Sequence, residues 1–285
     1  YIVPICGDKK ISKMSQRDWQ NVINGAHGAS GEPLAHKTLC NIRSILMGII
    51  KFGYADYQCE LPRGDLYIPK GHARNEKEIL QPDDIARLFE PSDLWYHPAF
   101  CFMALTGLRP GEALGLLNSD IDLDNRVMHV QRGVKEVSKR NGVTAESGRE
   151  VTVGKLKSAT SKRDVPLNDT AIEMIKDLRK EFYFGEDSPL IPDEHGEVTR
   201  PVNFRKRFYR ILTAAGIETK GLHSLRHTFA TRLINGVRDK DGNIKSLTPK
   251  QVADLLGHTT SEITELYYVK RDTNMLNGIT DGFEL

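Results

Sequence analysis

The sequence lacks the features of a membrane-bound or secreted protein. No apolar run approaches the ~18 residues that a membrane-spanning helix needs, and the first residues form no signal-peptide pattern. The four cysteines are scattered without a C-x-x-C pair, which argues against both a disulfide framework and a zinc site. We therefore expect a cytoplasmic protein with reduced thiols, no membrane partner, no metal and no cofactor.

The sequence also has little net charge. It contains 40 lysine and arginine residues against 38 aspartate and glutamate residues, a formal excess of only +2. Composition alone therefore does not predict a nucleic-acid partner, and any DNA-binding surface must come from basic side chains segregated onto one face. With 285 residues, 39% of them hydrophobic, the chain is long enough for two globular domains.

A linker rich in charge divides the chain. Residues 1–10 resemble an extended connector that follows a longer N-terminal region, and apolar spacing then predicts amphipathic helices, one of them over 36–54. Residues 73–78 form the predicted linker, after a stretch punctuated by proline and glycine. We expect a small helical domain over 1–72 and a larger domain over 79–285.

The larger domain is predicted to be mixed α/β and mainly α. Helical spacing changes to period two at 126–132, 151–153 and 161–167, which predicts a three-stranded antiparallel sheet. Residues 133–149 are then a long polar insertion in that sheet. Helices resume near Ala171 and continue through the rest of the domain.

A scattered set of polar residues interrupts these apolar helices. Guanidinium groups suit bidentate binding of a phosphate, and imidazoles suit proton transfer near neutral pH. The set therefore indicates a phosphodiester site that works without a metal. The alternative is that each arginine simply pairs with a neighbouring carboxylate. The members of the set are Arg109, Glu112, His223, Arg226, His258 and Tyr267.

The order of these residues resembles the catalytic core of tyrosine recombinases, the phage-integrase family, over roughly residues 78–270. The resemblance implies that Arg109 and Arg226 bind the non-bridging phosphate oxygens and that their guanidinium groups face the phosphate rather than the core. It also implies that Glu112 orients the first of these arginines. Arg109 is predicted to lie at a helix N-terminus, where the helix dipole also favours an anion.

The remaining members of the set would transfer protons and attack the phosphate. By resemblance, His223 is a proton-transfer and hydrogen-bonding group, whereas His227, one helical turn on, is structural. His258 follows a glycine at a helix end and matches a phosphate contact. Tyr267 has the family spacing of the nucleophile, with Tyr268 as its competitor on the same predicted helix.

A lysine completes the resemblance. The segment from Lys157 to Leu167, KSATSKRDVPL, matches the family's lysine at a turn ahead of a Ser-x-Arg-x-hydrophobic-Pro-Leu strand. A flexible ammonium there can protonate the leaving 5′ oxygen. Lys155 and Lys162 are alternatives for this role, or ordinary solvated charges.

Other basic residues are candidates for contact with DNA phosphates. The clearest group forms one basic face of a predicted helix over 202–215, although such a face is as often simply solvated. The candidates are Arg205, Lys206, Arg207, Arg210, Lys155, Lys162, Arg43 and Lys37.

The resemblance implies a site-specific recombinase that cleaves and rejoins double-stranded DNA through a 3′-phosphotyrosine intermediate. Such enzymes act as tetramers on two DNA sites, here with the C-terminal tail 271–285 exchanged between protomers and with a possible accessory directionality factor. The extra loop over 236–246, predicted to form a hairpin, favours integrases of conjugative transposons or prophages, and hence a bacterial cytoplasmic location. The alternatives are a type IB topoisomerase and a non-catalytic DNA-binding accessory protein.

Overall fold

The computed structural model describes residues 1–57, 64–69, 78–139, 148–156, 161–238 and 243–258. The chain divides into two compact units, 1–76 and 77–285. Several sequence predictions lie outside the described residues. These are Lys157, Tyr267, Tyr268, the tail 271–285 and the turn of the predicted 236–246 hairpin.

The first unit is helical, with α1 at Val3–Cys6, α2 at Gln16–Asn24 and α3 at His36–Tyr57. α2 begins after Ser15, whose side chain accepts a bond from the Asp18 N–H, while the Asp18 carboxylate accepts one from the Ser15 N–H. Apolar residues of α2 and α3 then form one core. Its largest members are Trp19, Ile23, Leu46 and Ile50.

The start of the chain differs from the sequence prediction. Residues 1–10 were expected to be extended, but Val3–Cys6 is a short helix. A proline near the start of a helix is tolerated, because the N–H that it lacks has no partner there. Ile2 and Cys6, four residues apart, pack against the core of the unit. This packing, which local sequence does not reveal, favours the helical conformation of the segment.

The second unit is built mainly from helices around an aromatic centre. The helix α5, His97–Thr106, is buried on several sides, and its Phe100 stacks on Phe204 with ring centroids 4.7 Å apart. Helices outnumber the short strands in this unit, so the prediction of a mixed α/β fold that is mainly α is confirmed. The helices are α4 Pro82–Leu88, α5 His97–Thr106, α6 Pro110–Gly115, α7 Asp169–Glu181, α8 Pro201–Ala214, α9 His223–Asn235 and α10 Pro249–Leu256.

Short antiparallel strands flank these helices. Those of the second unit are β1 Ile121–Asp122, β2 Val127–Val130, β3 Arg132–Lys139, β4 Gly148–Lys155, β5 Arg163–Pro166, β6 Val237–Arg238 and β7 Ile244–Lys245. Within the described residues, β1, β2 and β5 form a three-stranded antiparallel sheet, in which β2 and β5 correspond to the predicted strands 126–132 and 161–167. The third predicted strand, 151–153, was wrongly placed, because it belongs to β4 and pairs with β3, and β1 takes its place in the sheet. β6 and β7 pair as the predicted hairpin.

The described part of the predicted polar insertion, 133–139 and 148–149, is strand. Residues 133–149 were expected to be an insertion within the three-stranded sheet, but β3 and β4 pair with each other as a separate sheet over eight positions, from Arg132 with Lys155 to Lys139 with Gly148. Charged residues along both strands weaken the period-two signal, because each strand of a ribbon can expose polar side chains on either face. The ribbon forms one wall of the candidate site.

Candidate active site

Arg109 lies immediately before α6 and is locked to Glu112 in the first turn of that helix. The Arg109 backbone N–H donates to Glu112 Oε2 at 3.0 Å, and Arg109 Nη1 donates to Glu112 Oε1 at 2.6 Å. The Glu112 side chain is 3% exposed, whereas that of Arg109 is 36% exposed. The buried carboxylate therefore fixes the position of the Arg109 side chain and leaves part of its guanidinium accessible to solvent.

Arg226, in the first turns of α9, is more deeply buried than the sequence resemblance implied. Its Nη1 donates to Gly107 O at 2.8 Å, and the same nitrogen lies 3.9 Å from Glu112 Oε2. Gly107 ends α5 with a left-handed φ of 63°, and an added Cβ would lie 2.4 Å from the Phe229 ring. The guanidinium is thus part of the core as well as of the site, which corrects the expectation that it faces only the phosphate.

The C-terminal end of α10 is held by three arginines. Each of its last carbonyl groups accepts a bond from a different guanidinium, an arrangement that the negative end of the helix dipole favours. The bonds are Arg163 Nε to Leu255 O at 2.7 Å, Arg226 Nη2 to Leu256 O at 2.8 Å and Arg109 Nη2 to Gly257 O at 3.3 Å.

Glu112 is the centre of this cluster. It accepts hydrogen bonds from Arg109 and, at 3.0 Å, from Arg163 Nη2, and it forms a longer ion pair with Arg226 at 3.9 Å. Burial by itself would raise the pKa of Glu112, but the hydrogen bond and charge of Arg163, followed by those of Arg109, lower it below its usual value. One carboxylate among three guanidinium groups leaves an excess of positive charge, which favours an anion beside the cluster.

A pocket of about 480 Å³ opens beside the exposed part of Arg109. The guanidinium of Arg109, the imidazole of His223 and the ammonium of Lys155 face one cavity, so an anion and groups able to donate protons to it can meet there. The lining residues are Arg109, Pro110, Gly111, Glu112, Gly133, Val134, Lys135, Thr152, Gly154, Lys155, Leu156, Ser161 and His223.

Of the two histidines in the predicted set, His223 is the one that lines this pocket. It is exposed, and the ring of His227 lies 6.5 Å from that of His223, centroid to centroid. His258 is half-buried and directly follows Gly257, the residue whose carbonyl binds Arg109. Among the residues that the structure describes, no group of three His, Cys, Asp or Glu side chains is placed to hold a metal ion.

The basic residues of α8 divide into two kinds. Arg205, Lys206 and Arg210 are exposed, as a phosphate-contacting face requires. Arg207 instead donates to Glu194 Oε2 at 2.6 Å, and its guanidinium lies 4.5 Å from the centroid of a tryptophan ring, that of Trp95. This engagement favours a packing role for Arg207 over contact with DNA.

The other DNA-contact candidates are placed as follows. Lys155 ends β4 and lines the pocket, and Lys162 is exposed just before β5. Lys37 is exposed and Arg43 is half-buried, both on α3 of the first unit. The structure therefore brings Lys155 to the pocket itself. The contacts of all these residues with DNA stay a prediction.

Arg163 is the member of the cluster to which sequence reasoning gave no role. Its strand shows a signal that could have found it, because period two places Arg163 on the same face as Val165 and Leu167, and those two residues are buried. An arginine on the buried face of a strand needs a partner, and here that partner is Glu112.

Comparison with known proteins gives a family match over most of the second unit. The sequence profile described as the phage integrase family matches residues 73–274. A XerC-like tyrosine recombinase of Caldanaerobacter subterraneus is 28% identical over 235 residues, covering 75% of this chain and 57% of that protein. The chain spans about half the length of the curated relatives it matches.

Solved structures share the fold. The integrase of transposon Tn1549, in complex with transposon right-end DNA, matches with a TM-score of 0.71 at 19% identity, over 95% of this chain and 86% of that one. A lambda integrase tetramer bound to a Holliday junction matches with a TM-score of 0.63 at 17% identity, over 94% of this chain and 68% of that one. At these identities the likeness extends to the fold alone.

Proposed function

Because the chain belongs to the phage integrase family, we propose that it is a site-specific DNA recombinase that cleaves and rejoins double-stranded DNA through a 3′-phosphotyrosine intermediate. The observation that carries this proposal is the cluster around Glu112. A partly exposed arginine, Arg109, is held by a buried carboxylate at the edge of a pocket that also contains His223. The arrangement suits a phosphate whose charge increases during reaction.

In the proposed cleavage step, the phenolic oxygen of Tyr267 attacks the scissile phosphorus, a P–O bond to tyrosine forms and the bond to the 5′ oxygen breaks. The phenol releases its proton to the solvent, and the departing 5′ oxygen takes one from Lys157. A free phenol, with a pKa of about 10, is only about a thousandth ionised at neutral pH, a deficit of roughly 4 kcal/mol. The positive cluster around the phosphate offsets this deficit.

The protein groups have distinct tasks in this step. Arg109 and Arg226 stabilise the charge on the non-bridging oxygens, His223 donates a hydrogen bond or a proton, and His258 contacts the phosphate. Because the phosphotyrosyl ester conserves the energy of the broken bond, the reverse attack by a 5′ hydroxyl restores a DNA strand without ATP.

The proposed partners are duplex DNA at specific recombination sites and further copies of this chain. The lambda integrase structure contains a tetramer on a Holliday junction, and we propose that this chain also assembles as a tetramer, with the tail 271–285 exchanged between protomers. A directionality factor completes the proposed set of partners. Among the described residues, no helix combines the length and apolar content that crossing a membrane requires, and we propose a bacterial cytoplasmic location, where the DNA substrate lies.

Deleting Asn274 to Leu285 is expected to lower recombination far more than binding of one protomer to a half-site. The tail contains apolar residues at near-helical spacing, among them Leu276, Ile279 and Phe283, and an apolar stripe of this length needs another surface to be stable. Mobility-shift titrations on half-sites and full sites measure the two effects separately. Undiminished higher-order complexes of the deletion variant would show that the tail does not join protomers.

Cleavage of a nicked suicide duplex is expected to persist in excess EDTA, because an amino-acid side chain fills every proposed role. The matched control is the same reaction with added magnesium, which should change the covalent yield little. Activity that is lost on chelation and restored by magnesium would contradict the mechanism.

Relaxation of a supercoiled plasmid that has no recombination site would instead favour a type IB topoisomerase. Binding of DNA without any cleavage would favour an accessory protein.

A further inference from the structure

The side chain of Arg163 is engaged at every nitrogen. Nε donates to Leu255 O at 2.7 Å, Nη1 donates to Ser161 O at 3.1 Å and Nη2 donates to Glu112 Oε2 at 3.0 Å. The side chain is 6% exposed. Because the guanidinium is buried and bonded within the protein, it is poorly placed to bind a phosphate itself. Any effect of Arg163 on the reaction must therefore act through the groups to which it is bonded.

The groups that Arg163 holds are those that position the phosphate-facing residues. Glu112 binds both the side chain and the backbone N–H of Arg109. The end of α10 contains Gly257, whose carbonyl accepts from Arg109, and leads directly into His258. Arg163 therefore connects α6 to the end of α10, and both of its attachments lead to the same guanidinium.

The shape of the guanidinium is what makes this connection possible. Nε and Nη2 of Arg163 point to acceptors on two different helices, and a rigid planar fork fixes the spacing between those acceptors. A lysine keeps the charge but presents a single nitrogen, which cannot span the same two acceptors. The charge and the positioning effect of Arg163 can therefore be separated by substitution.

We propose that Arg163 is a positioning residue, which holds Glu112 and the end of α10 at the spacing that lets Arg109 and His258 meet one phosphate. The inference rests on the proposed function, because that phosphate is the scissile one. Its structural part, the anchoring of the end of α10, is measurable without any DNA.

The test compares Arg163→Lys and Arg163→Met with a matched control, Arg179→Lys. Arg179, on α7, also makes two guanidinium hydrogen bonds within the second unit: its Nε donates to Asn118 Oδ1 at 3.0 Å, and its Nη2 donates to Asn118 O at 2.9 Å. The described lining of the pocket contains no residue of α7. Three quantities are measured in the full chain: hydrogen exchange of the amides of 250–258, affinity for a half-site duplex and the single-turnover rate of suicide-duplex cleavage.

Both Arg163 variants are expected to exchange faster at the end of α10 than the wild type and the control. Their cleavage rates should fall roughly 10- to 100-fold, because small misplacement of a catalytic group has effects of this size. Half-site affinity should change by less than about threefold, since many other phosphate contacts remain. Arg163→Lys should not restore the rate, although it restores the charge.

Removal of Arg163 should also alter the pH profile. The groups facing the Glu112 carboxylate are Arg109 from its own helix and Arg163 and Arg226 from β5 and α9, and Lys135, Lys155 and His223 line the same pocket. Without the bond and charge of Arg163, burial remains and the pKa of Glu112 rises. Cleavage by Arg163→Met should therefore decline at a higher pH than wild-type cleavage as the solution is acidified.

Three results would overturn the inference. One is wild-type protection of the end of α10 in both Arg163 variants, which refutes the anchoring whatever the activity. Another is wild-type cleavage by Arg163→Lys, or a loss no larger than that of Arg179→Lys. A wild-type chain that never cleaves overturns the proposed function and the positioning role together, while hydrogen exchange still decides whether Arg163 anchors α10.

Discussion

Replacing Tyr267 by phenylalanine is expected to abolish covalent attachment to DNA while leaving half-site binding nearly intact. The substitution removes one oxygen, the proposed nucleophile, from a protein that we propose contacts many phosphates. Denaturing gels of the suicide-duplex reaction measure attachment, and mobility shifts measure binding. Tyr268→Phe is the matched control, because it removes the same atom from the neighbouring residue and should keep the covalent band.

The two neighbouring tyrosines make this prediction sensitive to register. On a helix, adjacent residues point about 100° apart, so only one of the two side chains can reach a given phosphate. A covalent band that survives in Tyr267→Phe and vanishes in Tyr268→Phe would place the nucleophile at the second tyrosine. A band that survives both substitutions would mean that the nucleophile lies elsewhere in the chain.

Replacing Arg226 by alanine is expected to slow cleavage by roughly 10²–10³-fold, the usual cost of one donor to transition-state charge. It should also destabilise the second unit by about 3–5 kcal/mol, because the buried Glu112 loses a cation and two carbonyls lose their donor. Single-turnover cleavage and chemical denaturation measure the two effects. Arg226→Lys keeps the charge and should lose less stability while still cleaving slowly.

The matched control for this prediction is Arg179→Ala, which removes a partly buried guanidinium from α7. It should lower stability without a comparable loss of cleavage measured well below the unfolding midpoint. Equal losses of cleavage in the two variants, or a normal rate in folded Arg226→Ala, would remove Arg226 from the proposed site.

Local sequence patterns predicted the fold class and the place of Arg109 beside a helix start. The position of Arg109 at a helix N-terminus could be predicted because the glycine at 107 interrupts the preceding helix and Pro110 suits the first turn of α6. The spacing of apolar residues likewise predicted the bounds of α3 and β2 to within a few residues. Such features depend on neighbours in sequence, which a reader of the sequence can see.

Contacts between distant residues could not be predicted in the same way. Arg226 was expected to face a phosphate, yet its nitrogens bind the carbonyls of Gly107 and Leu256, which are 119 and 30 residues away. The burial of the basic residues on α8 could not be predicted either, because the exposed Arg205 and the packed Arg207 belong to the same run of charged residues. A guanidinium's partners depend on which elements the fold brings to it.

The central claim is that a tyrosine of this chain becomes joined to the 3′ phosphate of a cleaved DNA strand. The most direct measurement isolates the covalent complex formed on a suicide duplex in EDTA, digests it with protease and nuclease, and locates the modified residue by mass spectrometry. The account predicts a nucleotide 3′-phosphate on Tyr267. Absence of any adduct, attachment through a 5′ phosphate or a modified residue other than Tyr267 would contradict it.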